Sequence, residues 1–109
     1  MIQEIEKYIE KYPEEVRKLF MQIRDVIYSI ESIIIEEKMW AKIPSYYYGE
    51  KFVRIIPFKD HINVEAEGLV NHTNDFEGCK FTPKGMLQIK ANQAIDFGRL
   101  KMVFSETLI

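Results

Sequence analysis

The feature that most constrains the fold is an apolar stripe in the first third of the chain. Its members recur mainly at spacings of three and four, at Val16, Leu19, Phe20, Ile23, Ile27 and Ile30. Because this spacing places side chains on one face of an α-helix, the segment predicts a helix that packs against a core. Pro13 suits the first turn of that helix, where its missing N–H breaks no hydrogen bond.

Two further helices are predicted near the ends of the chain. Residues 2 to 11 present Ile2, Ile5 and Ile9 on one face, and the Tyr12-Pro13 pair ends that segment. Near the other end, Asn92 is a suitable N-cap for a last helix, because its side chain can accept a hydrogen bond from the first turn. The apolar face of that helix is formed by Phe97, Leu100, Val103, Phe104 and Leu108.

Strand patterns fill the region between these helices. Phe52 to Pro57 is almost continuously apolar, and Ile62 to Ala66 alternates apolar with polar residues, which is the period of a half-buried strand. Gly49 provides a hairpin turn after Tyr46, so a three-stranded antiparallel meander is expected. A short helix over Gly68 to Phe76 and a strand over Met86 to Ile89 follow. The prediction is one α+β domain over residues 1–109, with two N-terminal helices and a C-terminal helix packed on a mostly antiparallel sheet.

Composition excludes several classes of function. A net charge of -2, with acids and bases interspersed, gives no basic face for nucleic acid. No apolar run approaches the roughly 20 residues that cross a bilayer, so no membrane association is expected. A single cysteine, Cys79, excludes an internal disulfide framework and indicates a reducing, cytoplasmic setting.

Four short motifs, taken in order, resemble the YdhG-like domain of unknown function. They are Pro13-Glu14-Glu15-Val16-Arg17 at a helix start, Trp40 to Tyr46 around Ile43-Pro44, Phe58-Lys59-Asp60-His61-Ile62, and Gly85-Met86-Leu87-Gln88-Ile89. The resemblance covers the chain from about Tyr8 to Leu108. Here Lys42-Ile43 replaces the small pair, often Gly-Met, that usually precedes the family's proline. The tyrosines after Pro44 are also bulkier than usual, which narrows any cleft there.

The resemblance implies a small α+β domain and, by analogy with a frataxin-like member group, an intracellular iron chaperone that binds and delivers Fe(II) to iron-using proteins. Under that hypothesis the predicted metal ligands are Glu65, Glu67 and His61. They are chosen from local chemistry, because strand alternation puts both carboxylates on the same side and imidazole is a good ligand for iron. With only His61 and His72 and no paired ligand motif, a structural zinc site is not expected.

The alternative is a small-ligand or protein-interaction module with an aromatic, lysine and histidine pocket. Its candidate residues come from two neighbouring strand-like segments: Trp40, Lys42, Tyr46, Phe58, Lys59 and His61. The rings provide an apolar wall and the lysines suit an anionic group. Purely structural roles explain the same residues: a core tryptophan, half-exposed tyrosines, and edge lysines that prevent strand pairing.

No catalytic motif is visible. Cys79 and Ser45 have no neighbouring base, and Gly78 and Gly85 are too isolated to form a phosphate-binding loop. The prediction is therefore a non-enzymatic binding protein. The tyrosines from Tyr46 to Tyr48 are compatible with either a monomer or a homodimer.

Overall fold

The structure, a computed structural model, describes residues 1–109. Its helices are α1 (Gln3–Glu10), α2 (Glu14–Tyr28) and α3 (Phe97–Leu108), with a short 3-10 helix over Glu67–Asn71. Its strands are β1 (Glu36–Trp40), β2 (Ile43–Tyr48), β3 (Lys51–Pro57), β4 (His61–Ala66), β5 (Lys80–Phe81) and β6 (Leu87–Lys90). The predicted α+β domain with helices at both ends is confirmed.

All six strands form one antiparallel sheet in the order β1-β2-β3-β4-β6-β5. The predicted meander is larger than three strands, because Glu36–Trp40 pairs with β2 as an additional edge strand. At the other edge, the β5–β6 hairpin adds to β4 through β6. Gly49, with φ +63°, occupies the expected turn between β2 and β3, where a left-handed backbone favours glycine.

The helices cover one face of the sheet, and the core lies between them. Strand residues on that face are fully buried: Tyr46, Val53, Ile55, Ile62, Val64, Leu87 and Ile89. The predicted stripe of α2 packs over them, and each of its six members is buried. Burial of this two-sided apolar layer is the main stabilising contribution of the fold.

The last helix begins later than the sequence suggested. Asp96, and not Asn92, is its N-cap, and the Asp96 carboxylate accepts a hydrogen bond from the Arg99 backbone N–H at 3.0 Å. The expectation for Asn92 was wrong because the chain after β6 takes a further turn, in which the Gln93 side chain caps the Lys90 N–H. The apolar face of α3 is confirmed, and Leu100, Val103, Phe104 and Leu108 are buried.

The 3-10 helix is bound tightly to α3. The Gly68 N–H donates to Thr107 Oγ1 at 2.8 Å, and a Cβ at Gly68 would lie 2.8 Å from the Val103 carbonyl oxygen. Beside this contact, the buried His72 ring meets a carboxylate at each nitrogen, Asp75 at Nδ1 and Glu106 at Nε2, both at 2.7 Å. The Glu106 contact first, and then the Asp75 contact, raise the pKa of His72. Carboxylates only accept, so two donating nitrogens require the imidazolium form.

A second buried charge joins the N-terminal helices to the sheet edge. Glu37 of β1 accepts from Arg24 Nε of α2 at 2.6 Å and from the Ile2 backbone N–H at 2.8 Å. Burial acts to raise the pKa of Glu37, but the hydrogen bonds from Arg24 and Ile2 hold it below its usual value. This carboxylate therefore stays ionised and anchors α1 and α2 to β1.

Candidate functional site

The face of the sheet opposite the helices has no covering layer. Strand alternation places Trp40, Ser45, Tyr47, Arg54 and Glu65 on this uncovered face. Aromatic rings from three neighbouring strands lie over it, and Trp40 keeps 50% of its surface exposed. A solvent-accessible surface with polar and aromatic side chains therefore lies on the side of the sheet opposite the core.

Arg54 lies at the centre of this face and is only 6% exposed. Its guanidinium carbon lies 3.9 Å from the Trp40 ring centroid and 3.7 Å from that of Phe52. A buried cation requires partners, because its desolvation is otherwise strongly unfavourable. The two rings satisfy the planar faces of the guanidinium and leave its edge free for hydrogen bonds.

Three side chains accept hydrogen bonds from that edge. Arg54 Nε donates to Ser45 Oγ at 3.2 Å, Nη1 to Glu65 Oε1 at 3.3 Å and Nη2 to the Tyr47 hydroxyl at 3.1 Å. The Ser45 hydroxyl in turn donates to the Ile43 carbonyl oxygen at 3.0 Å. Arg54 thus holds residues of β1, β2, β3 and β4 in one arrangement. We call Arg54 with Trp40, Phe52, Ser45, Tyr47 and Glu65 the arginine cluster.

A cleft adjoins the arginine cluster at the end of β4. It has a volume of about 470 Å³ and shares Phe52 and Glu65 with the cluster. Its other apolar walls come from the end of β4, the 3-10 helix and the β5–β6 hairpin: Ala66, Leu69, Val70, Phe81 and Met86. Mostly apolar walls with a few polar groups are typical of small-molecule sites of this size.

The cleft exists because two strands separate. Pairing between β4 and β6 ends at Val64 and Leu87, although β4 continues to Ala66. Beyond that point the hairpin turn bonds to itself, with Thr82 accepting from the Gly85 N–H at 2.8 Å. The end of β4, still paired with β3 on one side, therefore borders an opening on the side where β6 would continue.

The cleft also contains three charged side chains. Glu65 and Glu67 line it from the β4 side, and Lys84 lines it from the hairpin. Glu65 is bonded through Oε1 to Arg54 and its side chain is 37% exposed. Neither Glu67 nor Lys84 forms an ion pair within the protein.

The predicted aromatic, lysine and histidine pocket does not form a single site. Phe58 and His61 do come together: their rings stack at 4.5 Å with planes 10° apart, and His61 Nδ1 contacts Asp60 at 2.7 Å. Trp40, however, lies on β1, and two strands separate it from β4. Adjacent strands are about 4.8 Å apart, so backbones three places apart are separated by about 14 Å.

The remaining members of that predicted pocket, Tyr46, Lys59 and Lys42, lie in other parts of the structure. Tyr46 is fully buried on the helix-covered face, opposite Trp40, and its burial first and the Glu37 carboxylate second raise its pKa. Lys59 borders a surface depression beside the start of α2, together with Glu15. Lys42 is exposed in the β1–β2 turn, where φ is +66°. Tyr46 therefore belongs to the core, and Lys59 lies in a different surface depression.

The three predicted metal ligands are also dispersed. His61 and Glu65 share the uncovered face but lie four residues apart on one strand, a separation of about 13 Å. Glu67 lies beyond the end of β4, in the 3-10 helix, so strand alternation does not apply to it. No group of three or more His, Cys, Asp or Glu side chains in the structure is placed to hold a metal ion.

Arg54 is the main residue that sequence reasoning missed. A signal was present, because Arg54 interrupts the apolar run Phe52 to Pro57, and alternation places it opposite Val53 and Ile55. A single charge inside a strand pattern indicates the second face of the sheet. Nothing in the local sequence shows that Trp40, 14 residues earlier, stacks on it. Cys79 is a free thiol, as the single cysteine of the sequence requires. Burial raises its pKa and keeps the thiol protonated.

Comparisons with protein-family models, curated proteins and solved structures produced no match to this chain. None of its three α-helices has the length and apolar character required to cross a membrane.

Proposed function

We propose that this protein is a non-enzymatic binding module that holds a small ligand in the cleft at the end of β4. The observation that carries the proposal is the cleft itself, with six apolar lining residues beside a carboxylate held in place by Arg54. Positioned polar groups in a preformed apolar site reduce the ordering that a ligand must impose on binding. The arginine cluster is the support that maintains this geometry.

Val70 offers a direct test, because it lines the cleft and is 74% exposed, so that substitution leaves the core intact. Hexanol serves as a neutral apolar probe in an NMR titration of the backbone amides. We expect chemical-shift changes concentrated at Leu69, Phe81 and Met86. Val70→Trp should block binding by placing an indole over the opening, whereas the matched variant Val70→Ala should retain it. Shifts spread over the whole surface, or equal binding by both variants, would contradict the proposal.

Fe(II) binding, which the YdhG-like resemblance implies, is the competing proposal. It is less well supported, because Glu65, Glu67 and His61 do not converge and Glu65 is already bonded to Arg54. An anaerobic Fe(II) titration followed by Trp40 fluorescence tests it, with His61→Ala and the Glu65→Ala/Glu67→Ala double variant beside wild type. Saturable micromolar binding that these variants lose would restore iron as the cargo. Membership of the YdhG-like family stays a prediction.

A further inference from the structure

We propose that the free edge of β1 pairs with the same edge of a second copy of this chain, antiparallel about a two-fold axis at Glu37. The two outer strands of the sheet differ in length: β5 has two residues, whereas β1 has five and pairs with β2 without a bulge. An outer strand presents a row of backbone N–H and C=O groups that another extended chain can pair with. The β1 edge is therefore the longer of the two surfaces on which the sheet can be extended.

The β1–β2 turn determines which backbone groups of β1 face that edge. Its two residues, Ala41 and Lys42, both have positive φ, which is the type I′ geometry of a two-residue hairpin. In such a hairpin the flanking pair, here Trp40 and Ile43, is hydrogen-bonded, and hydrogen-bonded pairs alternate along the ladder. Every second residue before Trp40 therefore bonds to β2, and the residues between them direct their N–H and C=O groups outward. The outward-facing residues of β1 are Glu37 and Met39.

Charge selects one register among those that align these outward groups. Glu36 and Lys38 lie on the uncovered face, with 69% and 48% of their side chains exposed. Pairing about Glu37 places each Glu36 opposite the partner's Lys38, so two ion pairs cross the interface. An axis at Lys38 would place two lysines opposite one another, and an axis at Glu36 two glutamates. Opposite charges across strands are favourable and like charges are unfavourable, so the axis at Glu37 is preferred.

The same register brings two exposed apolar side chains together. Ile34 is 90% exposed, the largest fraction among the exposed large hydrophobic side chains. The alternation of exposed and half-buried residues continues from β1 back to Ile33, so Ile34 lies on the side of the sheet that carries Trp40. With Glu37 on the axis, Ile34 lies opposite the partner's Trp40, whose ring is half-exposed in a single chain. Burial of these two contacts adds an apolar contribution, which matters because exposed ion pairs stabilise weakly.

Glu37 is the residue that opposes this pairing, because its two copies meet at the axis. Its carboxylate, however, is buried on the helix side, where Arg24 Nε holds it at 2.6 Å and balances its charge. Charged side chains on an outer strand often serve to prevent pairing, which is the other interpretation of Glu36 and Lys38. That interpretation requires neither opposite signs two residues apart nor an exposed isoleucine in register with the tryptophan. Because two short strands form a small interface, the dimer is expected to be weak.

Sedimentation equilibrium of the full chain over a range of concentrations measures this association. We expect a dissociation constant of about 100 µM for wild type. Glu36→Lys alone and Lys38→Glu alone each place like charges opposite one another twice, so each should weaken the dimer about tenfold. An equimolar mixture of the two variants should recover wild-type association, because both pairs of the mixed dimer again have opposite charges. A variant that failed to fold would not recover on mixing.

Two further measurements locate the interface. Ile34→Ser should weaken the dimer about fivefold, whereas the matched variant Met102→Ser, at an exposed position of α3, should leave it unchanged. Hydrogen exchange of the Glu37 and Met39 amides should slow as protein concentration rises, while the Lys38 amide, already bonded to β2, should not change.

A chain that stays monomeric up to about 1 mM would overturn the proposal and leave the edge to an extended segment of another protein. A dimer whose dissociation constant is the same in wild type, Glu36→Lys and Ile34→Ser would also overturn it, because association would then use another surface. Weakening by Glu36→Lys without recovery in the mixture with Lys38→Glu would overturn the register about Glu37.

Discussion

The two faces of the sheet use the same strands for different purposes. On the covered face, adjacent strands contribute Val53, Ile55, Ile62 and Val64, all without exposed surface. On the uncovered face, the residues between them include Arg54 and Glu65, joined by a hydrogen bond. One face is ordered by non-directional apolar burial, and the other by directional contacts around a single guanidinium.

This difference explains how an uncovered face can remain ordered without a second layer of helices. The rings of Trp40 and Phe52 supply the apolar cover that Arg54 needs, and Arg54 in turn orients those rings. Each face also has a buried cation, since His72 lies on the helix side between Asp75 and Glu106. The two cations differ in kind, because arginine stays charged at any physiological pH and histidine does not.

The largest change in stability is expected for a comparison of two isoleucines, one on each face of the sheet. Ile55 and Ile56 are consecutive in β3, but Ile55 is fully buried under the helices and Ile56 is half-buried on the uncovered face. Ile55→Ala should lower the free energy of unfolding by about 3 to 4 kcal/mol, through lost burial and the cavity left behind. Ile56→Ala should cost about 1 kcal/mol. Urea denaturation measures both, and equal losses would show that the two faces are packed alike.

The next effect concerns the centre of the uncovered face. Arg54→Lys keeps the charge but loses the planar fork, so the bonds to Ser45 and Tyr47 cannot all form. We expect a loss of about 2 kcal/mol of unfolding free energy and a change in Trp40 fluorescence as the stacked guanidinium is removed. Arg99→Lys, at a more exposed arginine, is the control and should change stability by less than about 0.5 kcal/mol. Unchanged stability and fluorescence in Arg54→Lys would exclude an organising role.

Because His72 lies between Asp75 and Glu106, the stability of the covered side should depend on pH near neutrality. Its pKa is raised in the folded state by Glu106 and then Asp75, so its stabilisation is complete below the unfolded pKa of about 6.5. That contribution disappears as pH rises through the folded-state pKa. The stability of wild type relative to His72→Gln should therefore be largest below about pH 6.5 and decline as the pH rises above it.

Urea denaturation at several pH values measures this decline. Arg99 lies 4.0 Å from Asp75, and its charge does not change over this range. Glu106→Gln removes one of the two carboxylates and should reduce the slope. A difference between wild type and His72→Gln that stays constant with pH would mean that His72 is not held as an imidazolium.

The smallest effects are expected at the two turns that flank β2. Ala41 and Lys42 form a two-residue turn with φ of +48° and +66°, although neither is glycine or asparagine. Ala41→Asn should raise stability by about 0.5 kcal/mol, since asparagine tolerates a left-handed backbone better. Gly49→Ala, at φ +63° with no atom near the added Cβ, should lower it by about 1 kcal/mol. Thermal unfolding of both variants checks these opposite signs.

Local pattern predicted the helices and most strands well. The apolar spacing in α2 predicts which of its residues are buried. The alternation in β4 likewise predicts which face is buried, even when the partner strands are not known. Asn92 shows the limit, because several residues near a helix start are suitable caps and the preceding turn selects Asp96. Tyr46 shows a second limit of local pattern, because three successive tyrosines give no alternation from which to predict which ring is buried.

The candidate site was predicted less well, because its parts are distant in sequence. The sequence analysis grouped Phe58 with His61, on which it stacks, and Glu65 with Glu67, which lines the same cleft, but neither group included Arg54. Register across β1, β2 and β3 brings Trp40 to Arg54, and the early end of pairing between β4 and β6 opens the cleft. Both features result from strand pairing between segments that are distant in sequence.

The sequence by itself determined which faces of the helices and of β4 are buried, because periodicity is a local property of a single element. The tertiary structure alone decided that Arg54 lies between two rings and that Glu65 and Glu67 share a cleft with Lys84. Those contacts depend on which strands are adjacent and where their pairing ends, and backbone hydrogen bonds between distant segments set both.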